Sequence, residues 1–389
     1  TEQVVCNGNE ALGYGILAAG VRFGAGYPIT PWSDIMELLR RELPKYDGVF
    51  VQAEDEIAAV SMAIGASWGG RCAVTGSSGP GIALKGEAIG WAVMAEIPLI
   101  IVDVQRGGPS TGMPTNVEQS DLNIACYGGH GDSPRVVIAP ASVEDCFYTA
   151  IEAVNIARQY STPVIILTDQ AIATRIEAFG MPDLKNVCQD ISPDLSPRED
   201  HKPYDLSAKD GITQHAPPGT YIKSDKYPVV TGLEHNEMGH PSGSPKMHLD
   251  MTAKRRSKLQ ALGRALPAPE VYGPEEGNVL LIGWGSTQGS LREATERARK
   301  AGDSVSALTI RHINPLPDGL ENIFDGFNHV FVVENNDEGL YGFGQLCALL
   351  RAKFCDPKIV GINKTDGLTW RVKDVLARVT EKLTELESK

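Results

Sequence analysis

At 389 residues, with 42% hydrophobic and 22% charged residues, the chain has the composition of a globular protein and is long enough for two substantial cores. Acids outnumber bases, 49 to 36, for a net charge of -13, which argues against a nucleic-acid partner; no apolar run is long enough to span a bilayer. The start lacks a basic and apolar leader pattern, so a cytoplasmic location is expected, and the seven cysteines (Cys6, Cys72, Cys126, Cys146, Cys188, Cys347, Cys355) include no CxxC pair, which favours reduced packing thiols over a zinc or iron–sulfur site.

The first half alternates helical and strand-like segments, the pattern of an α/β, doubly wound parallel sheet. Helices are expected over 10–19, 32–43, 56–68, 82–95 and 143–159. Strands are expected over 49–51, 72–74, 99–104, 136–138 and 164–167, continuous apolar runs that suit a sheet covered on both faces. In such folds ligands bind in the loops that leave the carboxyl ends of the strands.

The first loop of interest is 24–34, GAGYPITPWSD. Thr30 reads either as the N-cap of a helix with Pro31 at its first position or as a hydroxyl facing a ligand. Next come three consecutive acids, Glu54, Asp55 and Glu56, between a strand and an alanine-rich helix. They are partners of the helix N-terminal dipole, or one of them is placed to hold a proton. The turn 75–81, TGSSGPG, joins strand to helix and can offer backbone N–H groups to an anion. It is not a P-loop, because Ile82 stands where the lysine is needed. The long polar loop 105–121, QRGGPSTGMPTNVEQSD, has Arg106 at its base, where a guanidinium reads as a surface residue or as a bidentate partner for a carboxylate.

From 181 to 267 the chain is rich in Pro, Asp, His and Lys with little periodicity, and an extended linker docked on other surfaces is expected. Its basic run 253–259, AKRRSKL, reads as a solvated helix face. Alternation resumes at Asn278 and defines a second, smaller α/β domain closed by an amphipathic helix over 370–386. The expected divisions are thus 1–185, a linker over 186–270, and 271–389. The turn GWGSTQG, with Gly283, Gly285 and Gly289, raises the alternative of an NAD(P)-binding oxidoreductase. Its spacing is one residue longer than GxGxxG, and the next strand ends in Arg311 and His312, without an acid for a ribose.

Taken together, YPITPWSD, QAEDEIAAVSMAIGAS, TGSSGPG, DVQRGGPSTGMPT with EQSDL, GLEHNEMGHPSGSP, GWGST and VVENNDEG resemble the alpha subunit of a 2-oxoacid:ferredoxin oxidoreductase over nearly the whole chain. RGGPSTGMPT places the resemblance in the 2-oxoglutarate branch. The fold implied is a pyrimidine-type thiamine diphosphate-binding domain followed by a domain like the C-terminal one of transketolase. The spacing to the glycine of IGAS puts the family's pyrimidine-binding glutamate at Glu56, with Glu54 next. Thr30 falls on a substrate-contacting threonine and Arg106 on the arginine that binds the substrate's 1-carboxylate; Ser77, Ser78 and Gly79 fall near the cofactor. No GDG motif occurs, so Asn335 and Asn336 are not a magnesium–diphosphate anchor. The resemblance implies a beta subunit bearing that motif, Mg2+ and a [4Fe-4S] cluster, in an alpha2beta2 assembly that uses coenzyme A and passes electrons to ferredoxin. His130, Arg22 and Lys85 are candidates for the distal carboxylate of 2-oxoglutarate, alongside a cation of the beta subunit. A pyruvate or branched-chain 2-oxoacid enzyme and a non-catalytic scaffold subunit are the remaining alternatives, and a gamma-type domain ahead of residue 1 stays open.

Overall fold

The computed structural model describes residues 2–186, 193–223 and 227–388, so Cys188 lies outside the described residues. In chain order the first elements are β1 (Gln3–Asn7), α1 (Gly8–Ala18), β2 (Phe23–Gly26), α2 (Ser33–Glu42), β3 (Val49–Gln52), α3 (Glu56–Trp68), β4 (Ala73–Ser77), α4 (Gly79–Met94), β5 (Leu99–Gln105), α5 (Leu122–Tyr127), β6 (Val136–Ile138), α6 (Val143–Tyr160), β7 (Pro163–Asp169), α7 (Gln170–Thr174) and β8 (Ile176–Gly180). There follow α8 (Pro245–Ala265), β9 (Val271–Tyr272), β10 (Gly277–Gly283), α9 (Thr287–Ala301), β11 (Val305–Thr309), β12 (His312–Asn314), α10 (Leu320–Asp325), β13 (Phe327–Glu334), α11 (Gln345–Phe354), β14 (Ile359–Asn363) and α12 (Val372–Glu387).

Strands β2 to β7 of the first half and β12 of the second form a sheet in the order β12-β6-β7-β5-β4-β2-β3, parallel except for β12. Its central strands LIIVDVQ and PVIILTD are buried along their whole length, as a sheet covered on both faces requires. One core lies between the sheet and α1, α2 and α6. A second runs from α3, α4 and α5 into the other sheet, β14-β13-β10-β11-β9, parallel except for β9. A short antiparallel pair, β1 with β8, completes the strands. Among the described residues no helix is long and apolar enough to cross a membrane, and no group of three or more His, Cys, Asp or Glu side chains is placed to hold a metal.

Two expectations for the middle of the chain need correction. The stretch read as an extended linker contains a helix of 21 residues, α8, capped by Ser244 with Pro245 at its start. Of its basic run only Arg256 is exposed. Lys254, Arg255 and Lys258 are buried; Lys254 and Lys258 both pair with Glu96 (2.7 and 2.9 Å), and Arg255 pairs with Glu234 at 2.8 Å. Burial alone raises a carboxyl's proton affinity, but Lys258 and Lys254 together hold Glu96 below the usual range.

Candidate active site

The carboxyl ends of β3, β2, β4 and β5 lie side by side, with Gly26 opposite both Gln52 and Gly76 and Ser77 opposite Asp103. The loops leaving them bring Thr30, Glu56, the turn 77–79 and Arg106 to one edge of the sheet. Glycines make this edge possible. The wholly buried Trp32 ring packs against Gly26 and occupies the space a side chain would take on Gly76.

Depth separates the three acids. Glu54 is exposed; Asp55 caps α3 by accepting the Ala58 N–H at 2.7 Å; Glu56, the first helical residue, is buried. The Glu56 side chain lies over the first turn of α4. A Cβ on Gly81 would collide with the Ser77 hydroxyl and come within 2.9 Å of Glu56 Oε1. Lys85, one turn further along α4, is wholly buried and donates from Nζ to the Glu56 carbonyl at 2.9 Å. Burial pushes its ammonium down to about 8, against the pull of Glu56 and Asp55.

Thr30 is not an N-cap. Helix α2 begins at Ser33 after Trp32, with no side-chain cap, and the Thr30–Pro31 peptide is cis. Thr30 is exposed, and its carbonyl accepts Arg106 Nη1 at 2.8 Å. Arg106 in turn is not a surface arginine: it is 6% exposed, its Nη2 donates to the Thr111 carbonyl at 2.9 Å, and its Nε is buried without a partner. The structure therefore joins the two expected substrate residues directly. Ser77 and Ser78 are wholly buried and both hydroxyls lack partners, as does that of Thr75.

The candidates for a distal carboxylate fare differently. Arg22 precedes β2, at the amino end of the sheet, where it donates to the Leu17 and Val21 carbonyls and stacks on Tyr46; it is remote from the carboxyl edge by topology. Lys85 is sealed beneath α3, and His130 is exposed in the connection after α5.

Two carboxylates of this edge escaped the sequence reading. Asp103 on β5 is wholly buried with neither oxygen partnered, and Asp121, at the entrance to α5, leaves Oδ2 buried and unpartnered. Burial, then repulsion from Asp121, raises the Asp103 carboxyl well above its ordinary value; burial, then Glu118, pushes Asp121 up to about 7. The available signal was one charge inside the apolar run LIIVDVQ.

The glycine turn of the second sheet offers no nucleotide site. Gly285 (φ +56) presses on Gln119 and Asp169, the Ser286 N–H donates to Asp169 Oδ2 at 3.0 Å, and the Trp284 carbonyl accepts from Gln119 at 2.8 Å. The amide that a phosphate needs is already taken by a carboxylate, which removes the NAD(P) alternative. Asn336 likewise serves the seam between the sheets, donating to the Gln119 carbonyl and to Glu334.

A parallel sheet with a buried glutamate at the start of the helix after an edge strand, followed by a second α/β sheet, is the arrangement expected of a thiamine diphosphate-binding fold. A split-gene transketolase shares this fold along 97% of the chain, with a TM-score of 0.55 at 14% identity. The profile described as pyruvate flavodoxin/ferredoxin oxidoreductase, thiamine diphosphate-binding, matches residues 14–253, and the chain belongs to that family. It is 40% identical to the 2-oxoglutarate oxidoreductase subunit KorA of Mycobacterium tuberculosis, over 98% of this chain and 58% of the relative. It is 36% identical to the 2-oxoglutarate synthase subunit KorA of Methanothermobacter marburgensis, over 86% and 88%. Among solved structures it is similar to the 2-oxoglutarate:ferredoxin oxidoreductase of Magnetococcus marinus with 2-oxoglutarate, coenzyme A and succinyl-CoA bound. There the TM-score is 0.90 and the identity 37%, over 98% of this chain and 65% of that one. The chain thus spans just over half the length of the Mycobacterium relative and about two thirds of the Magnetococcus chain.

Proposed function

We propose that this chain is the alpha-type part of a 2-oxoglutarate:ferredoxin oxidoreductase, which converts 2-oxoglutarate and coenzyme A reversibly to succinyl-CoA and CO2 and passes electrons to ferredoxin. The observation that carries this reading is Glu56, the one acid of its trio that is buried, set against Ser77 and Gly81 at the carboxyl edge of the sheet. The residues fit thiamine diphosphate: a buried carboxyl suited to a pyrimidine nitrogen lies beside the unpartnered Ser77 and Ser78 hydroxyls. When bound, the cofactor supplies an electron sink for the carbanion character that develops as the 2-oxo acid loses its carboxylate. Glu56 holds the proton traded with the pyrimidine. Arg106, fixed by the Thr30 and Thr111 carbonyls, keeps Nε for the departing carboxylate, and Thr30 lies beside it.

These residues make half a site. Tyr27, Ile57, Met62 and Leu84 are exposed apolar side chains on the elements around Glu56, which favours a partner surface at this edge. The partner is a beta subunit that carries the magnesium–diphosphate motif and the iron–sulfur cluster, in an alpha2beta2 assembly. Reconstitution tests the reading. The chain is combined with such a beta subunit, thiamine diphosphate is titrated with and without it, and 2-oxoglutarate is compared with pyruvate and branched 2-oxoacids. Turnover that needs both subunits and favours 2-oxoglutarate is expected; preference for pyruvate overturns the substrate, and cofactor binding indifferent to this chain overturns its catalytic role.

A further inference from the structure

Near its carboxyl end strand β5 buries a carboxyl group for which its surroundings offer no hydrogen bond. Asp103 is wholly buried and neither of its oxygens has a hydrogen-bond partner; its register neighbour Ser77 is wholly buried with its hydroxyl unpartnered. Asp121 packs with Oδ1 against Gly79 and buries Oδ2 without a partner. The charge acting on Asp103 is that of Asp121. Those acting on Asp121 from the neighbouring loop are Glu118, which repels it, and Arg106, which attracts it; α4 presents its first residue, Gly79, to Asp121.

Two ionised carboxylates cannot share so dry a place with so few donors, because each carries a desolvation cost and they repel each other. The surroundings also decide which one yields. Asp121 has the N-terminus of the 16-residue helix α4, against whose first residue it packs, and Arg106, both of which favour a negative charge. Asp103 has neither of these.

We propose that Asp103 and Asp121 share one proton, carried by Asp103, while Asp121 is ionised on the N-terminus of α4, and that the pair seats the turn 77–79 against the Arg106 loop. Both are positioning residues: Asp121 packs against Gly79, and Asp103 fills the space beneath Ser77 without adding a second charge. That this turn cradles a cofactor rests on the proposed function; the shared proton does not.

The test uses the full chain, with its partner subunit where the two purify together, labelled with carbon-13 at the aspartate carboxyls and studied by infrared spectroscopy without cofactor. A label-shifted carboxylic-acid band is expected at neutral pH and is expected to vanish in Asp103→Asn. Absence of the band, or its survival in that variant, overturns the proposal. If Asp103→Asn does not fold, the labelled wild type decides alone, a band at neutral pH supporting the shared proton and no band refuting it. Hydrogen exchange reads the positioning role. Asp121→Asn should speed exchange at the Gly79 amide by about tenfold and Asp103→Asn by less than about threefold; an unchanged rate in Asp121→Asn overturns the seating of the turn. Thiamine diphosphate titration on the same samples keeps the two readings apart, since a wild type that binds none ends the cofactor reading and leaves the proton result standing.

Discussion

Glu56 differs from Glu54 and Asp55 in surroundings, not in kind. Exposed carboxylates contribute little beyond their dipole and capping terms, whereas a buried one beside unpartnered hydroxyls is placed for proton transfer. Glu56→Gln keeps the volume and removes the exchangeable proton. In the reconstituted enzyme it is expected to lower kcat by roughly 10²- to 10⁴-fold with assembly intact, while Glu54→Gln stays within about threefold; steady-state kinetics on both variants checks this. Arg106 has two jobs, bracing the Thr30 and Thr111 carbonyls and offering Nε. Arg106→Ala should cost about 2–3 kcal/mol in kcat/KM for every 2-oxoacid, and Arg106→Lys should not rescue it, because a single ammonium cannot span two carbonyls and a carboxylate. Equal loss with all substrates would place Arg106 on the common carboxylate; loss confined to 2-oxoglutarate would move it to the distal one. Local sequence grammar left the three acids equivalent, and the motif resemblance ranked them. Asp103 stayed hidden because a lone aspartate in an apolar strand gives no clue to whether its oxygens find donors.

Among the elements, those with continuous apolar runs were legible and those built on glycine were not. Strand β2 has the sequence FGAG, with no β-branched residue, because Trp32 and Phe50 need the space its glycines leave. Helix α4 starts at Gly79, ahead of the expected 82, since the apolar pattern begins only after the glycine–proline turn. Helix α8 was misread for an opposite reason: its bases look solvated by composition, yet Lys254 and Lys258 face a buried acid from another element. Glu96 takes a positive φ of 52 and meets both Lys254 and Lys258. Removing the shared anion strands two buried ammonium groups. Glu96→Gln is therefore expected to lower the unfolding free energy by about 3–5 kcal/mol, measured by urea denaturation. A loss below about 1 kcal/mol would mean that the lysines are rehydrated without it.

At the scale of the whole molecule the two sheets are tied by exchange of chain as well as by a common apolar core. After β11 the chain crosses to the first sheet and adds β12 antiparallel to β6, so a strand from the second half closes the first. Charge locks this crossing. Arg311 donates to Asp145 (2.8 Å) and Glu152 (3.0 Å), and His312 Nε2 lies 2.7 Å from Glu152 Oε1. Burial raises the proton affinity of Glu152, but the bond to His312 and the charge of Arg311 outweigh it and hold the carboxyl down to about 2, from an ordinary value of 4.5. A depressed folded value means that the unfolded chain binds the proton more readily, so the stabilisation is fully present above about 4.5 and is lost as pH falls through about 2. Glu152→Gln removes this dependence. The stability difference between wild type and Glu152→Gln, read from urea midpoints, is expected to be constant from pH 7 to about 5 and to shrink steadily below that. A difference that does not change with pH would assign the lock to Asp145 and Arg311 instead.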